Sequence, residues 1–92
     1  MFKIVFKPLA IAQLKRMKRY YASIVVDAIE KHLSEEPEQT RGAIKRLRGK
    51  QEATFRLRVR DYRVFYDVVE DRVEIIQVLH KSETSAFYQE DK

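Results

Sequence analysis

The sequence predicts an α+β fold: a small antiparallel sheet, in the order β-α-α-β-β-β, with two N-terminal helices packed on one face and a short C-terminal segment. Three observations carry this. Between Thr54 and Val69 apolar and basic residues alternate with a period of two, the mark of a half-buried strand. Between Ala10 and Leu33 apolar residues recur at helical spacing. The 92 residues, 45% of them hydrophobic, suffice for one domain, 1–92, and leave no room for a second core.

Phe2-Lys3-Ile4-Val5-Phe6 reads as a short strand with Phe2, Ile4 and Phe6 inward. Pro8 suits the first turn of a helix, where its missing N–H costs nothing. Ala10, Leu14, Met17 and Tyr21 then mark one helical face, with Lys15, Arg16, Lys18 and Arg19 largely off it. Helical pattern continues from about Tyr20 to Glu35 on Ile24, Val25, Ala28, Ile29 and Leu33. Neither Gly nor Pro divides the two stretches, so the break falls somewhere between Lys18 and Ser23, and two antiparallel helices or one kinked helix both fit. Pro37 ends the pattern, because the residue before proline avoids helical geometry. His32, near that end, reads as structural. Glu38 to Ala53 is a linker in which Leu47 plugs the core and Gly49 lets the chain turn.

In the sheet, Phe55, Leu57 and Val59 inward leave Arg56 and Arg58 outward. Tyr62, Val64 and Tyr66 inward leave Phe65 and Arg63 on that same open face. Val68-Val69 and Arg72 to Ile76 form a hairpin around Glu70-Asp71. That loop sets Val69 opposite Arg72, Tyr66 opposite Ile75, Phe65 opposite Ile76 and Arg63 opposite Val78. Cross-strand partners share a face, so His80 joins the arginine face, and a one-residue slip would reverse this. Ser82 to Lys92, with Phe87 and Tyr88, is a short helix or an extended segment.

Charge narrows the function. The net +5 is uneven: Arg41 to Arg63 holds nine basic residues and two acids, while the remainder is slightly acidic. A local excess of this kind is the footprint of a polyanion site. Lys45, Arg46, Arg48 and Lys50 on the linker, with Arg60 and Lys81, are candidates for contacts to a nucleic-acid backbone. The absence of cysteine favours the reducing cytoplasm. MFKIVFKPLA lacks the features of a signal peptide, and no apolar run reaches the roughly 20 residues of a membrane helix. Two His, no Cys and no ligand spacing argue against a metal, and no cofactor is expected.

Arginines bind phosphates through a planar fork of donors but cannot act as bases near neutrality. His, with an unperturbed pKa of about 6.5, can move protons there. Arg56, Arg58 and Arg63 with His80 and Tyr88 are therefore the parts for RNA cleavage without a metal: a 2′-hydroxyl attacks the adjacent phosphate, arginines stabilise the charge, and His80 or Tyr88 transfers protons. Each residue also has a structural reading. Outward charges on an edge strand discourage aggregation; Arg63 can pair with Asp61 or Asp67; His80 can cap a strand end; Tyr88 can pack the tail. Phe65 on an open face suits base stacking or a partner's apolar side chain.

KRLRG (Lys45 to Gly49), FRLRVRDYRVFYDV (Phe55 to Val68) and VLHKSETSAFY (Val78 to Tyr88) together resemble the RelE/ParE superfamily of toxins from type II toxin–antitoxin systems, over nearly the whole chain. The resemblance implies a small antiparallel sheet with two helices on one side. It implies a ribosome-dependent mRNA endonuclease held inactive by a cognate antitoxin. The family's two basic positions on the first hairpin strand fall on Arg56 and Arg58, its "YR" arginine on Arg63, and its C-terminal catalytic tyrosine on Tyr88. Its second catalytic arginine falls on Ser82, a departure, with Lys81 and His80 adjacent. The alternative implied by the resemblance is a ParE-like or catalytically silent member that acts by binding, with DNA gyrase as target.

Overall fold

The computed structural model describes residues 1–48 and 53–84. The chain runs β1 (Lys3–Phe6), α1 (Pro8–Arg16), α2 (Arg19–Leu33), β2 (Ile44–Arg46), β3 (Phe55–Val59), β4 (Tyr62–Val69) and β5 (Arg72–His80), then a 3-10 turn, Lys81–Glu83. The α+β class and the two helices on one face stand as the sequence indicates. Two features go beyond it. The linker contributes a fifth strand, β2, and the N-terminal strand pairs parallel to β5, so the five-stranded sheet of order β1-β5-β4-β3-β2 is mixed.

The helix break falls at Met17 and Lys18, both extended, with ψ of 155° and 140°. α1 therefore stops at Arg16, and Met17 and Tyr21 do not share a helical face with Ala10 and Leu14. α2 buries Val25, Ile29 and Leu33. They meet Phe55, Leu57, Val59, Val64, Tyr66, Val73, Ile75 and Val78 from the sheet in one core. Among the described residues no helix is long and apolar enough to cross a membrane.

One buried polar contact ties the layers together. The Tyr66 hydroxyl donates to the Pro37 carbonyl at 2.6 Å, while its ring stacks on Phe55 with centroids 5.4 Å apart. Burial pushes this phenol well above its ordinary pKa. The bond fastens the segment after α2 to the centre of the sheet. Tyr66→Phe is expected to cost about 1–3 kcal/mol, because it strands a carbonyl that water does not reach. Chemical denaturation of the two proteins measures the difference, and an unchanged midpoint would remove the bond from the account.

The β4–β5 hairpin starts as the sequence indicates, with Glu70-Asp71 as its loop and Val69 opposite Arg72; Tyr66 faces Ile75. A bulge then intervenes: the next pairs are Phe65 with Gln77, Arg63 with Leu79 and Tyr62 with His80. Ile76 is the extra residue. It changes the parity of everything after it, so His80 lies on the helix face, not on the arginine face. Strict alternation would have aimed Gln77 into the core; the bulge aims Val78 there instead. α1 then covers this part of the edge of β5. The Gln13 side chain accepts from the Val78 N–H at 2.6 Å and donates to the Gln77 side-chain Oε1 at 3.2 Å.

Candidate nucleic-acid interface

The open face of the sheet is a set of cross-strand rows. Lys45, Arg56, Phe65 and Gln77 form one; Arg58, Arg63 and Leu79 form the next. Asp67, Glu74 and Val5 form a row toward the other end. Basic residues thus gather at one end of the face. The acids at the other end are engaged: Asp67 accepts from the Thr54 N–H at 2.6 Å, and Arg72 bonds Glu74 at 2.8 Å. That hydrogen bond holds the Glu74 carboxyl below its usual range.

Arg58 is exposed and stands directly across from Arg63. Like charges in this position repel, so the pair is best satisfied by an anion lying between or above them. Arg63 is half-buried, and its Nη1 donates to the carbonyls of Arg60 and Tyr62, each at 3.1 Å. These contacts brace the β3–β4 turn, where Arg60 takes a left-handed backbone with φ 54°. A non-glycine residue there is strained, and the Arg63 guanidinium helps hold it. Arg63 is thus part brace and part charge.

The other candidates are spread more widely than the sequence implies. Arg56 lies on the open face but is only 5% exposed. β2 pairs along its outer side, so β3 is an interior strand and not an edge, and Arg56 Nη1 reaches the Ala43 carbonyl at 3.3 Å. Lys45 faces Arg56, but Arg46 faces Phe55 on the helix side, its guanidinium 5.5 Å from that ring. Arg48 is exposed just after β2, and Arg60 is exposed at the hairpin tip. Lys81 is held at that tip by its N–H, 2.7 Å from the Asp61 carbonyl, and by an ion pair with the Asp61 carboxylate at 3.5 Å. Lys50, Gly49 and Tyr88 lie outside the described residues.

Phe65 departs from expectation in burial. It is fully buried, packed with Ala53, Leu47, Ile76 and Leu79 in a second small core on the open face. Leu47 and Ala53, at the two ends of the linker's return, cover it. The ring therefore offers no free stacking surface; through Leu47 it anchors the end of β2, which carries Lys45, and Arg48 just after it.

His80 follows its structural reading. Its side chain accepts from the Ser82 N–H at 3.2 Å, and Glu83 accepts from the His80 N–H at 2.9 Å, a reciprocal cap for the 3-10 turn. On the other side its ring meets Tyr62 edge-on at 5.4 Å. Among the described residues, the arginine face can neutralise and orient a phosphate but carries no group that titrates near neutrality. Sequence reading gave Tyr20 no role and placed Tyr21 on the apolar face of the first helix; the structure leaves them 63% and 40% exposed. The signal was there in KRMKRYY, Lys15 to Tyr21, where basic residues run into aromatics.

Comparison with known proteins bears on the whole arrangement. The chain matches the family model for the ParE toxin of type II toxin–antitoxin systems, parDE, over residues 4–84. Among curated proteins none matches it. Among solved structures it is similar to the RelBE2 toxin–antitoxin complex from Mycobacterium tuberculosis, with 27% identity and a TM-score of 0.76, covering 86% of this chain and 96% of that one. It also resembles the RelB–RelE complex from Methanococcus jannaschii, at 20% identity and a TM-score of 0.70, over 92% and 99% of the two chains. The intact RelBE complex from E. coli follows at 18% identity and a TM-score of 0.65, over 85% and 94%. The last two likenesses are of fold.

Proposed function

The chain belongs to the RelE/ParE superfamily of type II toxin–antitoxin toxins, and on that premise we propose that it is a ribosome-dependent mRNA endonuclease neutralised by a cognate antitoxin. The observation that carries the reading is the Arg58–Arg63 pair, two guanidiniums facing each other across one ladder of an open sheet face, with Lys45 and Arg56 in the neighbouring row. In this reading Arg58 and Arg63 grip the scissile phosphate through paired N–H donors. The neighbouring 2′-hydroxyl attacks it, and the guanidiniums stabilise the charge that builds on the phosphorane-like state. Arg56 acts from beneath as a fixed positive charge. Tyr88 is the candidate proton carrier from this chain. His80 is not assigned that role, because it points to the other face and its Nδ1 accepts from the Ser82 N–H. The antitoxin assignment rests on the similar structures, which are toxin–antitoxin complexes. The site of action would be the cytoplasm, where ribosomes and mRNA meet.

Primer extension on a defined mRNA in a purified translation system tests this. New 5′ ends within codons, appearing only with ribosomes, are the expected result. Affinity for ribosomes should fall steeply with salt, as each phosphate contact releases counterions; a flat dependence would remove the basic face as the footprint. A second reading has its own observation. Ser82 stands where the family has a second catalytic arginine, and the described arginine face holds no near-neutral acid or base. Intact mRNA with folded toxin would favour a ParE-like inhibitor that acts by binding, and a gyrase supercoiling assay would test it directly.

A further inference from the structure

The elbow between α1 and α2 borders a half-open cavity that the mechanism above does not use. It measures about 430 Å³, within the range of small-ligand sites. Its lining includes Tyr21, Tyr62 and His80 together with Arg16, Lys18 and Glu83. The rings form a connected series: Tyr20 lies edge-on to Tyr21 at 5.2 Å, Tyr21 lies 6.1 Å from Tyr62, and Tyr62 meets His80 at 5.4 Å. Tyr20 and Tyr21 are exposed, although a plain core would have drawn them in.

Charge and hydrogen bonding sharpen the description. The one acid of the lining is already engaged, since Glu83 accepts from the His80 N–H. Among the described residues the side chains of Arg16 and Lys18 have neither an ion-pair nor a hydrogen-bond partner. Ser82 engages His80 Nδ1, with its N–H at 3.2 Å and its Oγ at 2.9 Å. Aromatic faces beside unpaired cations are what single-stranded nucleic acid requires: rings stack on bases and cations follow the backbone. An apolar peptide side chain would leave both cations without partners.

We propose that this cavity is a second RNA-binding site, which takes one unpaired base of single-stranded RNA among Tyr21, Tyr62 and His80 and a flanking phosphate on Arg16 and Lys18. It rests on the reading of the protein as one that handles RNA. The site is separate from the arginine pair: Tyr62 and Arg63 are sequence neighbours on β4, and their side chains leave opposite faces of the same end of the sheet. One RNA strand passing round the β3–β4 turn would touch both.

The test uses the purified protein at low salt and a fluorescein-labelled eight-nucleotide single-stranded RNA. Tyr21→Leu and Lys18→Ala should each weaken binding about tenfold, with melting temperatures like that of the parent, and Tyr21 and His80 resonances should shift during an NMR titration. If both variants bind like the parent while Arg58→Ala binds weakly, the cavity site is overturned and the arginine-face reading stands. If the parent binds no RNA, the cavity site is overturned, while the arginine-face reading stands or falls by the ribosome assay. Unchanged RNA affinity together with weakened antitoxin binding would give the cavity to a protein partner and overturn the proposal.

Discussion

Arg58→Ala is expected to slow ribosome-dependent mRNA cleavage by about 10²–10³-fold while leaving the fold slightly more stable than before. The magnitude is that of removing one preorganised donor aimed at developing charge. The sign of the stability change comes from the ladder. Arg58 and Arg63 are direct cross-strand partners, and separating two like charges relieves repulsion. Arg58 is exposed, so its loss opens no cavity. A charge that lowers stability and raises activity is retained for its partner, not for the fold. Arg63 is a poorer probe, since its guanidinium also braces the carbonyls of Arg60 and Tyr62, and its removal mixes lost charge with a loosened turn. Rates from primer extension and midpoints from thermal melts of the same preparations decide the matter. The salt slope of ribosome binding should also fall by about one in the Arg58 variant, as for a single lost phosphate contact. Undiminished cleavage would remove Arg58 from the site, and a clear loss of stability would make it structural.

The sequence was most readable where a single periodicity governs. Phe55 to Val59 and Tyr62 to Tyr66 alternate cleanly, and the structure buries the residues that alternation selects except Tyr62, which is half-buried. The two-residue Glu70-Asp71 loop fixed the first pairs of the last hairpin. Legibility stopped where a local rule met a tertiary requirement. Gln77 sits at the parity of a core residue, and the bulge at Ile76 resolves that conflict, which also turns His80 away from the arginines. A polar residue at core parity in an apolar strand was the available warning. β2 was hidden because only Ile44, Lys45 and Arg46 pair, too few to show a period. Yet this short strand makes β3 interior and so buries Arg56. The parallel pairing of β1 depends on contacts across most of the chain, and no local pattern encodes it.

Phe65→Ala separates the two meanings that its position allows. On an open face a phenylalanine suggests a platform for bases, and truncating a platform would cost affinity and little stability. The structure instead buries Phe65 completely among Ala53, Leu47, Ile76 and Leu79. Emptying such a site is expected to cost about 3–5 kcal/mol, the transfer term plus the cavity left behind. For a domain of this size that loss corresponds to a fall in melting temperature of more than about 10 °C. The damage should concentrate in the linker, because Leu47 and Ala53 are the residues that rest on the ring. Amide exchange near Lys45 and Ala53 should therefore quicken before exchange in α2, whose contacts lie on the opposite face of the sheet. Activity should fall with it, as β2 and the residues after it, which present Lys45 and Arg48, lose their anchor. Phe65→Leu, which keeps most of the apolar volume, should recover most of both. A Phe65→Ala protein as stable as the parent but weak toward RNA would return the ring to the role of stacking surface, and would mean that the small core on the open face opens when RNA binds.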